Sequence, residues 1–487
     1  MKEGEVLIIG AGPAGMAAAM ELSKAKKNFT VVEKDSQVGG LSKTYAFKED
    51  NLTFLTDNGP HRFFSKNQYL YSFIEELLHE KWIKVRRQTR QFIEGKFYDY
   101  PINAKQALVN VGVFKAARMV LDYGIARIQY GLFRKKIENF DDYIVANFGR
   151  TLGEFNMLNY TEKIWGIPCT EIHSDWAKQR IKGLNLRTAA WNAILTTFAK
   201  KQTHGPKSLV DAFYYPEHGT GEIYETIRQK IEKQGHPVLT NSYPTKVKHS
   251  KNKITDVILN IDGKEKIVQP KYLVESIHIT DFLKLLDPQP PKEVMDAMKK
   301  LRYRSQAYLF ITLNKKKITD DQWIYFPDRD VPIGRVSEMR NFSEKMSPPG
   351  KTSLFVEFFC NEGDDVWNMD EDELFELALP YFEKYKFFTK KEVRKYYVIK
   401  QRNVYPIYDI HYQRFVNIIK KYLDKFDNLF YIGRPGRFRY NNQDHSLEMG
   451  MLAAQSIIDG KKYNIGKVGD EEEYYESGKL PPEQKKH

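Results

Sequence analysis

Only two cysteines, Cys169 and Cys360, occur in the 487 residues of this chain. That excludes a disulfide framework and any C-x-x-C metal or redox pair. No run of 18 apolar residues is present, so no transmembrane helix is expected. A Ser-His-Asp set and a cluster of metal-ligating residues are missing too. So is a long block of one charge. Lysine and arginine exceed aspartate and glutamate by 76 to 63, a net charge of +13. The excess is spread over short groups such as Lys24–Lys27, Lys84–Arg90, Arg134–Lys136 and Lys315–Lys317. Without a recognition motif, that distribution gives no nucleic-acid partner. It leaves a solvated basic surface, or a field that draws in an anionic substrate or an acidic membrane face. The chain reaches an apolar strand almost at once, which leaves no room for a signal peptide and predicts a cytoplasmic protein.

What the chain does have begins at Val6. Val6–Ile9 is an apolar run suited to a strand buried on both faces. Gly10, Gly12 and Gly15 follow at G-x-G-x-x-G spacing, and Ala14–Lys24 reads as a helix. A second strand, Phe29–Val32, ends at Glu33, 18 residues after Gly15. Gly10 allows the tight turn, Gly12 lets the backbone approach a pyrophosphate, and Gly15 lets the helix pack on the strand. The helix N-terminus offers unpaired N–H groups to the phosphates, and Glu33 is placed to accept from a ribose. Strand, glycines, helix and acid together predict a dinucleotide site, where the glycines alone would mark only a βα turn.

A glycine pair, Gly39-Gly40, comes just past the ribose acid. With the first turn it resembles the flavoproteins of the amine oxidase, protoporphyrinogen oxidase and UDP-galactopyranose mutase superfamily. The resemblance implies FAD, held along Gly10, Gly12, Ala14, Gly15, Glu33, Gly39 and Gly40. Asp57–Phe64 resembles the mutases' G-x-H-x-F loop over the flavin, which gives His61 a catalytic place. Pro60 and Phe64 depart from that loop, standing where the mutases have a small residue and, in some, a second histidine. Tyr160–Gly166 followed by Arg180-Ile181 is similar to the mutases rather than the amine oxidases. It implies Trp165 against a sugar pocket and Arg180 on a substrate diphosphate; a core tryptophan and a surface arginine are the plain alternatives. Tyr303-Arg304-Ser305 likewise implies that Arg304 spans the diphosphate and the flavin side of the pocket. Gly219 and Gly221 match the turn that returns to the FAD domain, and Val247 the backbone position at the adenine. The segment Gly433-Arg434 to Tyr440 and Asp444 resembles the closing motif. It gives Gly433 and Asp444 to FAD and Arg434 and Tyr440 to the substrate. Tyr405 and Tyr408 sit in an aromatic cluster that either stacks on substrate or edges a tyrosine-rich core, in a chain with 30 tyrosines.

The expected fold class is α/β: a Rossmann-type FAD-binding domain with an inserted helical cap and an antiparallel-sheet substrate domain. Residues 1–90, 216–282 and 416–462 are expected to form the FAD-binding domain. Residues 91–215 should be the mainly helical cap, 283–415 the sheet domain and 463–487 a polar tail. Within the cap, residues 104–133 are helical by pattern, apolar and basic. Buried helices are the expectation there, and peripheral membrane contact is the alternative, with no membrane partner expected. The function implied is that of a UDP-galactopyranose mutase-like enzyme. It would interconvert pyranose and furanose forms of a nucleotide sugar through a flavin–sugar adduct on reduced FAD, with reduced nicotinamide or another donor priming the flavin. The alternative is an FAD-dependent oxidoreductase of the protoporphyrinogen or amine oxidase type.

Overall fold

A computed structural model describes residues 5–65, 67–100, 110–174, 176 and 212–469. Arg180, residues 104–109, most of the cap's second half and all but the start of the expected tail lie outside these residues.

Val6–Ile9 is the central strand of a five-stranded parallel sheet. It pairs with Phe29–Val32 on one side and Tyr272–Glu275 on the other, Val6 standing opposite Phe29 and Tyr272. Val238–Leu239 and Leu429–Tyr431 form the two edges. A central strand covered on both faces needs an unbroken apolar run, and VLII is fully buried. Helix Pro13–Lys24 starts directly after the glycine turn, with proline at its first position, where the missing N–H costs nothing. It packs on helix Gln443–Asp459. The two helices meet at a glycine, since a Cβ on Gly450 would lie 2.0 Å from the Ala14 carbonyl oxygen. Strands and helices from the beginning, middle and end of the chain thus share one layer.

A second, seven-stranded sheet lies beyond it, in the order Val393–Pro406, Tyr303–Leu313, Thr352–Cys360, Arg335–Glu338, Trp323–Tyr325, Thr89–Ile93, Lys96–Asp99. The hairpin turning at Gly95 therefore belongs to this sheet, pairing in parallel with Trp323–Tyr325. The α/β architecture is the one expected.

The segment that leads to His61 is anchored at Asp57, which is fully buried. Its carboxylate accepts from Thr44 Oγ1 at 2.6 Å, from Thr220 N at 2.9 Å and Oγ1 at 2.8 Å, and from the Tyr215 hydroxyl. Four donors compensate a desolvated acid whose pKa burial pushes up. Gly219 is held in the left-handed region at φ +95°, where a Cβ would meet Thr44 Oγ1 at 2.5 Å. This knot fixes the chain two residues before Gly59-Pro60-His61.

One expectation fails. The described part of residues 104–133 forms a helix, Val113–Arg127, continued by a π-helical turn, Ile128–Leu132, but it is not buried. Ala126 is the only residue of Val113–Leu132 that is fully buried. Apolar periodicity reports that a face avoids water; it does not report what covers that face.

Candidate active site

A cleft of about 500 Å³ runs from the glycine turns to the seven-stranded sheet. At one end lie Gly10, Gly12, Ala14, Glu33 and Gly40, all positions expected for FAD. Gly10 sits at φ +93°, and Gly15 has no room for a side chain, since a Cβ would fall 2.0 Å from the Gly10 carbonyl oxygen. Gly39 and Gly40 both have positive φ, and Gly39 N–H donates to the Ala11 carbonyl at 2.8 Å. A Cβ on Gly40 would lie 3.1 Å from Gly12 Cα, so the two glycine turns close on each other as backbone against backbone. Glu33 accepts from Ala11 N–H at 2.7 Å and from Asp35 N–H at 3.0 Å, while burial pushes its pKa up. The acid thus braces the turn and presents its outer edge to the cleft. This bare backbone cradle beside a helix N-terminus fits an extended dinucleotide.

The closing motif completes the cradle. Gly433, at φ +76°, starts a short turn, Gly433–Gly436, and a Cβ there would press on Ala14 Cβ at 3.1 Å. The following helix begins at Gln443. Asp444 is therefore inside its first turn, where a carboxylate complements the helix dipole, and it lines the cleft. Ser276, Ile277 and His278 also line it. Strand Tyr272–Glu275 stops just before these three, which lie at the carboxyl ends of the parallel strands, where α/β sheets bind ligands. Val247 sits elsewhere, fully buried in the core, and the cleft meets Ser242, Tyr243 and Pro244 of the same strand instead.

At the other end the wall is cationic and tyrosyl. Arg335 makes two parallel bonds to Glu357, Nε to Oε1 at 2.6 Å and Nη2 to Oε2 at 2.9 Å. Glu357 also accepts from Gln306 Nε2 at 3.2 Å. Arg434 donates from Nε to the Asn441 carbonyl at 3.1 Å, and its guanidinium lies 4.8 Å from the Tyr440 ring and 5.6 Å from Tyr405. Those two tyrosines are stacked at 5.4 Å. Burial pushes the Tyr405 hydroxyl up, so it stays a donor. Tyr325 and Gln401 complete the chamber, with Arg87 and Tyr100 also on the cleft wall.

His61 is on this wall, and desolvation together with the nearby Arg434 and Arg335 pushes its pKa from 6.5 down to about 3. The folded imidazole is neutral at every physiological pH. Below pH 6.5 the unfolded chain takes up a proton that the folded chain refuses, so this stability is lost as pH falls from 6.5 toward 3. Between pH 7 and pH 5 the loss from His61 alone should be roughly 2 kcal/mol. Urea denaturation at the two pH values should show that much less acid destabilisation in His61→Asn than in wild type. Equal losses in the two proteins would show that the imidazole titrates normally.

Trp165, Tyr408 and Arg304 stand behind the wall. Trp165 is buried edge-on to Trp176 at 4.7 Å, and it packs against Tyr405, Tyr408 and Tyr440 at 6.1–6.3 Å. Tyr408 stacks on Tyr412 at 4.2 Å, and its hydroxyl accepts the Tyr440 N–H at 2.6 Å, which sets the backbone of a cleft residue. Arg304 donates to the Ile164 carbonyl at 3.1 Å and the Phe359 carbonyl at 2.9 Å, and lies against Gly166. It thereby anchors the Tyr160–Gly166 motif to strand Thr352–Cys360. Arg335 is on the cleft wall, whereas Glu338, on the same strand, points away and accepts from Ile318 N, Thr319 N and Thr352 Oγ1. Glu357 escaped the sequence reading. Its one signal was a single acid inside the apolar strand TSLFVEFFC.

Residues 13–402 match the family model of flavin containing amine oxidoreductases. The chain belongs to that family. Its cofactor is FAD, and the glycine cradle described above has the shape to hold it. Among solved structures, a reduced UDP-galactopyranose mutase has the same fold with a TM-score of 0.80, over 96% of this chain and 99% of that one, at 21% identity. Putrescine oxidase bound to putrescine gives a TM-score of 0.60, over 94% and 99%, at 16% identity. By sequence, the L-amino-acid oxidase of Gloydius halys is 23% identical over 361 residues, 68% of this chain. The match spans 66% of that oxidase, just under two thirds of its length. Among the described residues of this family member no helix is long and apolar enough to cross a membrane, and none form a metal-holding cluster.

Proposed function

We propose that this flavoprotein is an isomerase of nucleotide sugars, interconverting pyranose and furanose forms in the manner of a UDP-galactopyranose mutase. The observation that carries the reading is the charge of the chamber beyond the flavin cradle. Arg335 is balanced by Glu357, but Arg434 has no carboxylate partner among the described residues and faces the cleft with Tyr405 and Tyr440. An unbalanced guanidinium in a desolvated chamber favours an anion and disfavours an ammonium substrate. The likeness in fold to the mutase supports the same reading.

When bound and reduced, the flavin supplies a nucleophilic ring nitrogen for the anomeric carbon. The residues of this chain then have separable tasks. Arg434 and Arg335 hold the departing diphosphate and balance its charge. Tyr405 and Tyr440 offer neutral donors to the same oxygens. His61, held uncharged between the two arginines, adds no competing positive charge and can hydrogen-bond as a neutral ring. Arg180 is proposed to join the diphosphate contacts, and Arg304 to hold the motif helix in place behind them.

The test is an anaerobic titration of UDP-galactose into dithionite-reduced protein, followed by the flavin spectrum and by product analysis. The expected result is a spectral change with formation of an isomer and no consumption of reductant. Arg434→Ala should weaken UDP binding by on the order of tenfold or more, the worth of a charge-assisted contact. A second reading, a true oxidoreductase, is favoured by the sequence likeness to an L-amino-acid oxidase. A flavin indifferent to UDP-sugars but reduced by an amine or amino acid, with oxygen uptake, would establish that reading and overturn the first.

A further inference from the structure

The exposed helix Val113–Leu132 has a composition that a water-facing helix does not need. Val113, Val120 and Ile128 run along one line of it, with Phe114, Leu121 and Leu132 beside them, and these six side chains are between 51% and 94% exposed. At about 1.5 Å per residue the stripe is roughly 30 Å long. Soluble monomers rarely leave a contiguous apolar patch of that kind uncovered.

The opposite side of the helix is already taken. Ala126 is buried, and Gly149 approaches so closely that a Cβ would lie 2.7 Å from Tyr123 N. Asp122 accepts from Thr151 N–H at 3.1 Å, so the one acid of the helix is turned inward. Among the described residues the stripe is therefore an unpartnered outer face.

Charge selects its occupant. Arg118 and Arg127 are exposed and flank the stripe on opposite sides, and exposed Arg134 and Lys136 follow its C-terminal end. None of these four has an ion-pair partner among the described residues, and the chain as a whole carries +13. A second copy of the same helix would set these cations against their own kind. An anionic bilayer surface meets both requirements at once, with acyl chains for the stripe and headgroups for the rim. We propose that helix Val113–Leu132 lies flat on anionic lipid and docks the protein peripherally. It enters the interface without spanning it, consistent with the absence of any crossing helix among the described residues. Its N-terminal end is tied to the substrate sheet, since Lys96 Nζ donates to the Asn110 carbonyl at 2.7 Å. Tyr100, on the cleft wall, is four residues further along from Lys96. Docking would thus hold the cleft close to the lipid surface.

The test is co-sedimentation of the full-length, FAD-loaded protein with vesicles of phosphatidylcholine plus phosphatidylglycerol, against phosphatidylcholine alone. Wild type should bind the anionic vesicles at least tenfold better, roughly the effect expected of several basic residues near the surface, and should release as salt rises. The double variant Leu121→Asp/Leu132→Asp should lose binding while keeping its flavin spectrum and melting temperature, because both side chains already face water. Arg118→Glu/Arg127→Glu should weaken binding through the rim alone. Two outcomes overturn the proposal. One is equal, negligible sedimentation with both vesicle types. The other is a dimer in analytical ultracentrifugation that Leu121→Asp converts to monomer, which would assign the stripe to a second copy of this chain.

Discussion

Gly15→Ala should yield a folded protein that no longer retains FAD. The methyl group would be built 2.0 Å from the Gly10 carbonyl oxygen, 3.2 Å from the Gly10 carbonyl carbon and 3.3 Å from Ile8 Cγ2. Two of those contacts are backbone, so no side chain can swing away. The helix must move off the strand, and its N-terminal N–H groups leave the position where they meet the pyrophosphate. The ratio of flavin to protein absorbance after gel filtration should fall at least about tenfold, the equivalent of a loss of roughly 1.4 kcal/mol or more in binding. Gly124→Ala is the matched control. It is a helical glycine with nothing within 4 Å of the added atom, and it should keep both its flavin and its stability. A Gly15→Ala protein with a full complement of FAD would show that this turn is not the cofactor cradle.

Arg335→Ala should be the most damaging substitution on the substrate side. It removes both bonds to Glu357 and leaves that carboxylate, which has no solvent exposure, with Gln306 as its remaining partner. Breaking a buried pair from one side costs about 3–5 kcal/mol, because the stranded charge is neither solvated nor balanced. Chemical denaturation should show a loss of that size. The affinity for UDP should drop with it, since the guanidinium also faces the cleft. Arg335→Met combined with Glu357→Gln separates the two effects. With no charge left to strand, stability should largely return while the affinity stays low. If affinity returned as well, Arg335 would be a scaffold for the strand pair and no part of the binding wall. Arg335→Lys should fall between, retaining the charge and losing the parallel geometry of the two bonds.

The parts of this protein that were legible in its sequence are those whose physics is local. Gly10, Gly12 and Gly15 are dictated by a turn of six residues, and Glu33 by the length of one helix and one strand. The apolar run Val6–Ile9 announces a doubly covered strand whatever pairs with it. A dinucleotide cradle in an α/β fold follows from those features, and FAD from the family resemblance that begins at Gly39-Gly40. In the chamber beyond it, Tyr405, Arg434 and Tyr440 were legible through the family resemblance and all three line the cleft, whereas Arg335 on the wall and Glu357 behind it meet only because their antiparallel strands are neighbours. Register decided that Arg335 meets Glu357 while Glu338, on the same strand, turns to the opposite side. A period of two places adjacent polar residues on opposite faces, and the sequence carries no mark of which face holds the cleft. The same gap explains Arg304 and Trp165, whose motifs were legible but whose side chains stand behind the wall rather than on it. It explains the surface helix as well, since apolar residues at helical spacing define a face and leave its partner unnamed. The sequence by itself determined a dinucleotide cradle and the α/β unit that holds it, through steric demands confined to about thirty consecutive residues, and the family resemblance named the dinucleotide as FAD. Only the tertiary structure decided that Arg335 is balanced by Glu357 and which apolar face stays open, because both depend on contacts beyond one local element, Arg335 with Glu357 on the neighbouring strand and Asp122 with Thr151 past the end of its helix.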